Sequence, residues 1–127
     1  VKQSLLIPYT VRKGKRKVKG TVAFLRNPYE RIIALYKSSW GYRSLSEFLE
    51  HETIIPQAEL YADADIVTHL DNWKNAIDTY KLKPEENNID FNKLEISTEY
   101  KRWYTQEMID VVADIVQPDL ETFGFTF

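Results

Sequence analysis

The sequence predicts an α/β fold: a small parallel sheet with packed helices, carrying an N-terminal β-hairpin. Three observations predict it. Residues 21–26 (TVAFLR) form a short, mostly apolar run, as in a strand covered on both faces. From Asn27 the period changes, and Tyr29, Ile32, Ile33, Tyr36 and Trp40 fall on one helical stripe. The same change recurs later, where ADIVTHL (64–70) precedes a helical pattern with Trp73, Ile77 and Tyr80 on one face. Chain length and composition fit one domain over residues 1–127: the 127 residues are 43% hydrophobic and 28% charged, enough for one ordinary core.

Each element has its own local cause. Residues 4–11 and 18–25 are rich in β-formers, and Gly14 between them supplies a turn, so a hairpin follows. Pro8 makes the first strand an edge or ends it early. Asn27 caps the helix after the second strand, Pro28 suits its first turn, and Glu30 can reach back to complete the cap. Ser44-Leu45-Ser46-Glu47 is a capping box for a short helix reaching about His51. Residues 52–63 read as irregular around Pro56, and residues 83–98 as a polar loop. Thr105 caps a helix with Met108, Val111, Val112 and Ile115 as its inner stripe. Pro118 interrupts it, and Gly124 stops the turn that follows. Trp40, Trp73, Trp103 and the Phe123, Phe125, Phe127 tail are expected in the core.

Composition narrows function. With no cysteine, disulfide and thiol chemistry are excluded. His51 and His69, 18 positions apart, have no metal-ligand spacing, so no metal is expected. No apolar run approaches the roughly 20 residues of a spanning helix, so no membrane is expected, and a soluble cytoplasmic protein is the default. Val1 rather than Met stands first, so a fragment of a longer protein is one expectation. The net charge of −2 makes nucleic acid an unexpected partner. The charge is uneven, however: Arg12, Lys13, Lys15, Arg16, Lys17 and Lys19 form a basic run. Lys13, Lys15, Arg16 and Lys17 are polyanion-binding candidates, against the plainer reading of a solvated hairpin tip.

The chemistry concentrates at Arg26-Asn27-Pro28. A helix N-terminus presents backbone N–H groups and positive dipole, and an arginine brought there by a strand adds a fork of donors matched to phosphate. Ligands of open α/β sheets bind at such strand ends, against the plainer reading that Arg26 simply pairs with a neighbouring acid such as Glu30.

TVAFLRNPYERIIALYKSS resembles the segment that binds the donor's 3′-phosphate in carbohydrate-type members of the sulfotransferase superfamily. Phe24, Arg26, Asn27, Pro28, Arg31 and Tyr36 match its pattern at the correct spacing. DIVTHLDNWKNAID is similar to a later strand–helix unit of that family. In the tail, Tyr100, Tyr104, Thr105, Glu107, Asp119, Phe123, Gly124 and Phe127 match its C-terminal block. The blocks come in the family's order over residues 20–127. The resemblance implies a P-loop-like sulfotransferase core, with 3′-phosphoadenosine 5′-phosphosulfate as co-substrate and no metal. It implies transfer of a sulfuryl group to a hydroxyl acceptor, a glycan being the expected class. It places Arg26, Asn27 and Arg31 at the donor nucleotide.

Two departures shape the expectation. Ala34 stands where the family has a phosphate-binding serine, and one lost hydrogen bond to a charged group costs about 1.5–3 kcal/mol. The family's 5′-phosphosulfate loop has a lysine and small residues after Ile-Pro, whereas Ile7-Pro8 is followed by Tyr9, Thr10 and Val11. Residues 1–19 are therefore not expected to form that loop. His69, at a strand end, is a weak candidate for the general base that accepts the hydroxyl proton. The alternative is a non-catalytic nucleotide- or polyanion-binding module on the same scaffold.

Overall fold

A computed structural model describes residues 3–94 and 98–127, so residues 95–97 of the expected 83–98 loop lie outside the described residues. The chain is mixed α/β and folds as two compact units. One comprises Val1–Gln3, Arg26–Leu60 and Ser97–Phe127; the other comprises Ser4–Leu25 and Tyr61–Ile96.

The second of these units holds the sheet, β1 (Leu6–Lys13), β2 (Arg16–Leu25) and β3 (Ile66–His69), in the order β1-β2-β3. The sheet is mixed, not parallel as expected: β1 pairs antiparallel with β2, and β2 pairs parallel with β3. The cause is the turn. Lys13 pairs with Arg16, leaving only Gly14 and Lys15 to reverse the chain, and Gly14 adopts φ +64°. So tight a connection joins only antiparallel neighbours. The hairpin is thus not an addition to the sheet, because β2 is both its second arm and the central strand. Pro8 lies on the edge strand, where its missing N–H costs no ladder bond.

Ile7, Val22 and Phe24 share one sheet face and pack with Leu70, Ala76, Leu82, Ile89 and Phe91 in a core cluster. Ala76 belongs to α4 (Trp73–Tyr80), which follows a single 3-10 turn after β3. Trp73 stacks on Phe91 with ring centroids 5.1 Å apart. Tyr9 lies over Gly20, directly opposite it on β2, and against Tyr80. One residue further along β2, Asp65, just before β3, accepts the Thr21 N–H at 2.8 Å.

The helical unit contains α1 (Pro28–Ser38), α2 (Leu45–His51), α3 (Gln57–Leu60), α5 (Gln106–Ile115) and α6 (Gln117–Phe123). Ser44 caps α2 by accepting from the Glu47 N–H, and Thr105 caps α5 by accepting from the Met108 N–H. Gly124 ends α6 at φ +72°. Tyr29, Ile32, Ile33, Phe48, Val112 and Val116 form its core. Full burial of a side chain such as Ile32 or Phe48 contributes about 1.5–3 kcal/mol. Phe127 joins them through edge-on contacts with Tyr29, Tyr100 and Tyr104.

Three expectations fail here. Trp40 and Trp103 are 95% and 38% exposed rather than in the core. The hydroxyls of Ser38 and Ser39 bond back to Leu35 O and α1 ends at Ser38, so Trp40 lies beyond the helical period. Val111 is 42% exposed, because α5 buries a narrower stripe centred on Val112. Residues 57–60, expected to be irregular, are a helical turn. Among the described residues no helix is long and apolar enough to cross a membrane.

Candidate functional site

The strand–helix junction is held by a buried polar relay. The Arg26 N–H donates to Gln57 Oε1 at 3.0 Å, and Gln57 Nε2 donates to Arg26 O at 2.9 Å. The Gln57 amide thus grips both backbone groups of Arg26 as a neighbouring strand would. Gln57 is in turn fixed by Asp119, whose carboxylate accepts the Gln57 N–H at 3.0 Å and the Ala58 N–H at 2.7 Å. Both side chains have 0% exposure. Asp119 therefore caps α3 from α6, satisfying orphan N–H groups that would otherwise be buried without partners.

Asn27 caps α1 as the sequence predicts: its Oδ1 accepts the Tyr29 N–H at 3.0 Å. Its Nδ2 donates to Thr126 O at 3.0 Å, tying the helix start to the C-terminal segment. From the opposite side Tyr104 donates its hydroxyl to Tyr29 O at 2.6 Å. Burial, reinforced by Tyr29 and Tyr100, pushes the Tyr104 phenol well above its ordinary pKa. Tyr29 and Tyr100 are raised too, chiefly by burial, with Asp110 adding to the first and Glu30 to the second.

On this frame the guanidinium of Arg26 meets Glu30, with Nη2 to Oε1 at 2.6 Å and both side chains 10% exposed. Glu30 therefore reaches back to the arginine, not to the Asn27 N–H as the capping pattern suggests. The first turn also offers fewer anion donors than expected, since Pro28 has no N–H and that of Tyr29 is taken by Asn27. Arg31 is 2% exposed and donates from Nη2 to Gln3 O at 3.0 Å. Its role is to hold Gln3 against α1, while Gln3 Oε1 accepts the Ile55 N–H at 2.8 Å.

The structure thus gathers Arg26, Asn27 and Arg31 into one unit, with the Arg26 guanidinium against a carboxylate. Ala34, at the position of the family's serine, is half-buried on α1. His69 belongs to the other compact unit, exposed as the last residue of β3 and in register with Leu25. Lys13, Lys15, Arg16 and Lys17 are all exposed at the hairpin end of that unit. No set of three His, Cys, Asp or Glu side chains able to hold a metal occurs among the described residues.

Sequence reasoning missed the roles of Gln57 and Asp119. Gln57 follows Pro56 with no periodic pattern to mark it. Asp119 was visible only as one match in the tail block. No family model, no curated protein and no solved structure matches the chain.

Proposed function

We propose that this chain is a sulfotransferase-like protein in which Arg26 holds the 3′-phosphate of 3′-phosphoadenosine 5′-phosphosulfate, the donor of a sulfuryl group to a hydroxyl acceptor of the carbohydrate class. The observation that carries this reading is the placement of Arg26. Its backbone is clamped at the end of β2 by Gln57, and its guanidinium rests on a carboxylate one helical turn into α1. A donor so fixed loses little freedom on binding. The doubly charged phosphate competes for it against the single charge of Glu30, so Glu30 acts as a resting counter-ion that the nucleotide displaces. Asn27 contributes by fixing the helix start rather than by donating to the ligand, and Arg31 by securing the chain behind it.

A second reading, a binding module without transfer activity, is favoured by one observation. Residues 6–25 form an antiparallel hairpin in which Tyr9 packs over Gly20 and against Tyr80. That is not the strand–loop–helix that cradles a 5′-phosphosulfate, and no lysine takes the place of Tyr9.

Titration calorimetry with 3′-phosphoadenosine 5′-phosphate tests the shared premise. Binding is expected, with Arg26→Ala weakening it at least about tenfold, as loss of a charge-assisted hydrogen bond implies. No heat at millimolar nucleotide overturns both readings. Transfer of radiolabelled sulfate to a mixture of sugar hydroxyls separates them, since only the enzyme produces labelled product.

A further inference from the structure

The overall charge of −2 hides a strong segregation. Residues 4–25 contain six cations beyond Val11 and no acid, while the rest of the chain carries eleven cations against nineteen acids. Arg12, Lys13, Lys15, Arg16, Lys17 and Lys19 are all exposed, and none forms an ion pair among the described residues.

The register adds what the sequence could not show. Arg12 lies directly opposite Lys17, and Lys13 directly opposite Arg16. Like charges facing one another across a ladder are destabilising. The alternation of strand faces puts Arg12, Lys17 and Lys19 on one side of the ribbon and Lys13 and Arg16 on the other, with Lys15 at the turn. A flat anionic surface or a thin acidic chain lying along the ribbon engages one face only. Cations on both faces and at the tip fit a ligand with two anionic walls and a floor.

We propose that the β1–β2 tip enters the major groove of duplex DNA, with its two faces against the two phosphate walls and Lys15 toward the base edges. The dimensions agree. The B-form major groove, about 12 Å wide and 8.5 Å deep, admits a two-stranded ribbon. The four pairs from Thr10–Lys19 to Lys13–Arg16 span about 10 Å at roughly 3.4 Å per step, long enough to reach the floor. The narrow major groove of A-form RNA excludes such a ribbon. The aromatic residue on this stretch, Tyr9, is half-buried against Tyr80, so single-strand stacking has no platform. Four of the six cations are lysines, point charges suited to phosphate contact, and the acidic remainder of the chain confines contact to the tip. This inference is independent of the donor-nucleotide reading.

The test is fluorescence anisotropy of the full chain with a labelled duplex of about twenty base pairs at about 50 mM salt. The same strand alone, an RNA duplex and heparin serve as competitors. The variants are Arg12→Thr with Lys17→Thr for one face, and Lys13→Thr with Arg16→Thr for the other. Threonine suits a strand, so both variants are expected to melt at or above the wild-type temperature. Each should lose at least about tenfold in affinity, and its slope of log affinity against log salt should fall by about 2, near 0.9 for each phosphate contact. Loss confined to one face, tighter binding of heparin, RNA duplex or single strand, or no binding to the DNA duplex overturns the proposal. Should either threonine variant melt low, glutamine at the same positions repeats the comparison.

Discussion

Arg26 and Asp119 show how differently a single side chain can be read from sequence. The Asn27 cap and the Arg26 position were legible because their partners lie within four residues along the chain. Gln57 and Asp119 were not, because their partners lie 31, 61 and 62 residues away. No local period marks a polar group whose hydrogen bonds close across the fold. Both side chains nevertheless decide the site. Asp119→Ala leaves two buried N–H groups without an acceptor, so urea denaturation should show a loss of about 2–4 kcal/mol, in line with the cost of orphaned buried donors. Asp119→Asn keeps an acceptor oxygen and should lose less. If both variants melt like the wild type, the relay does not hold the junction.

Among the elements, each strand and each longer helix had a sequence cause that the structure keeps: the glycine turn, the Asn27, Ser44 and Thr105 caps, and the change of period at residue 27. What sequence did not convey was how the elements combine. The two-residue turn makes β1 antiparallel, yet β2 also pairs with β3, so hairpin and sheet share a strand and the sheet is mixed. Trp40 failed for a smaller reason, since the stripe it continues outlasts the helix by two residues. Gly20 tests the hairpin's packing. A Cβ there would sit 2.6 Å from the Tyr9 ring, so the ring must move and its contact with Tyr80 must open. Gly20→Ala is expected to cost about 1–3 kcal/mol by overpacking, visible as a lower urea midpoint. Tyr9→Ala in the same background should reduce that cost. Ser44→Ala should cost about 1 kcal/mol through the lost cap of α2.

Across the whole molecule, the buried tyrosines set a limit to alkaline stability. Tyr29, Tyr100 and Tyr104 all have phenols raised above the ordinary value of 10.0 in the folded chain. Above pH 10 the unfolded chain releases these protons while the folded chain keeps them, so the folded state binds more protons and stability falls as pH rises. Their contribution is fully present below about pH 10, and for Tyr104 the loss approaches about 1.4 kcal/mol per pH unit above it. Denaturation midpoints measured from pH 8 to 11 should be flat to near 10 and then decline. Tyr104→Phe should soften the decline, although it loses the bond to Tyr29 O and starts from a lower stability.

The exchange of partners at Arg26 is where the functional reading stands or falls. Glu30→Gln keeps the size of the side chain and removes the negative charge beside Arg26, whose side chain is 10% exposed. Calorimetry of 3′-phosphoadenosine 5′-phosphate against the wild type and Glu30→Gln should show tighter binding to the variant, by roughly tenfold if a single charge competitor is removed. Equal or weaker binding to a folded Glu30→Gln protein would mean that the pair is structural and that the phosphate goes elsewhere.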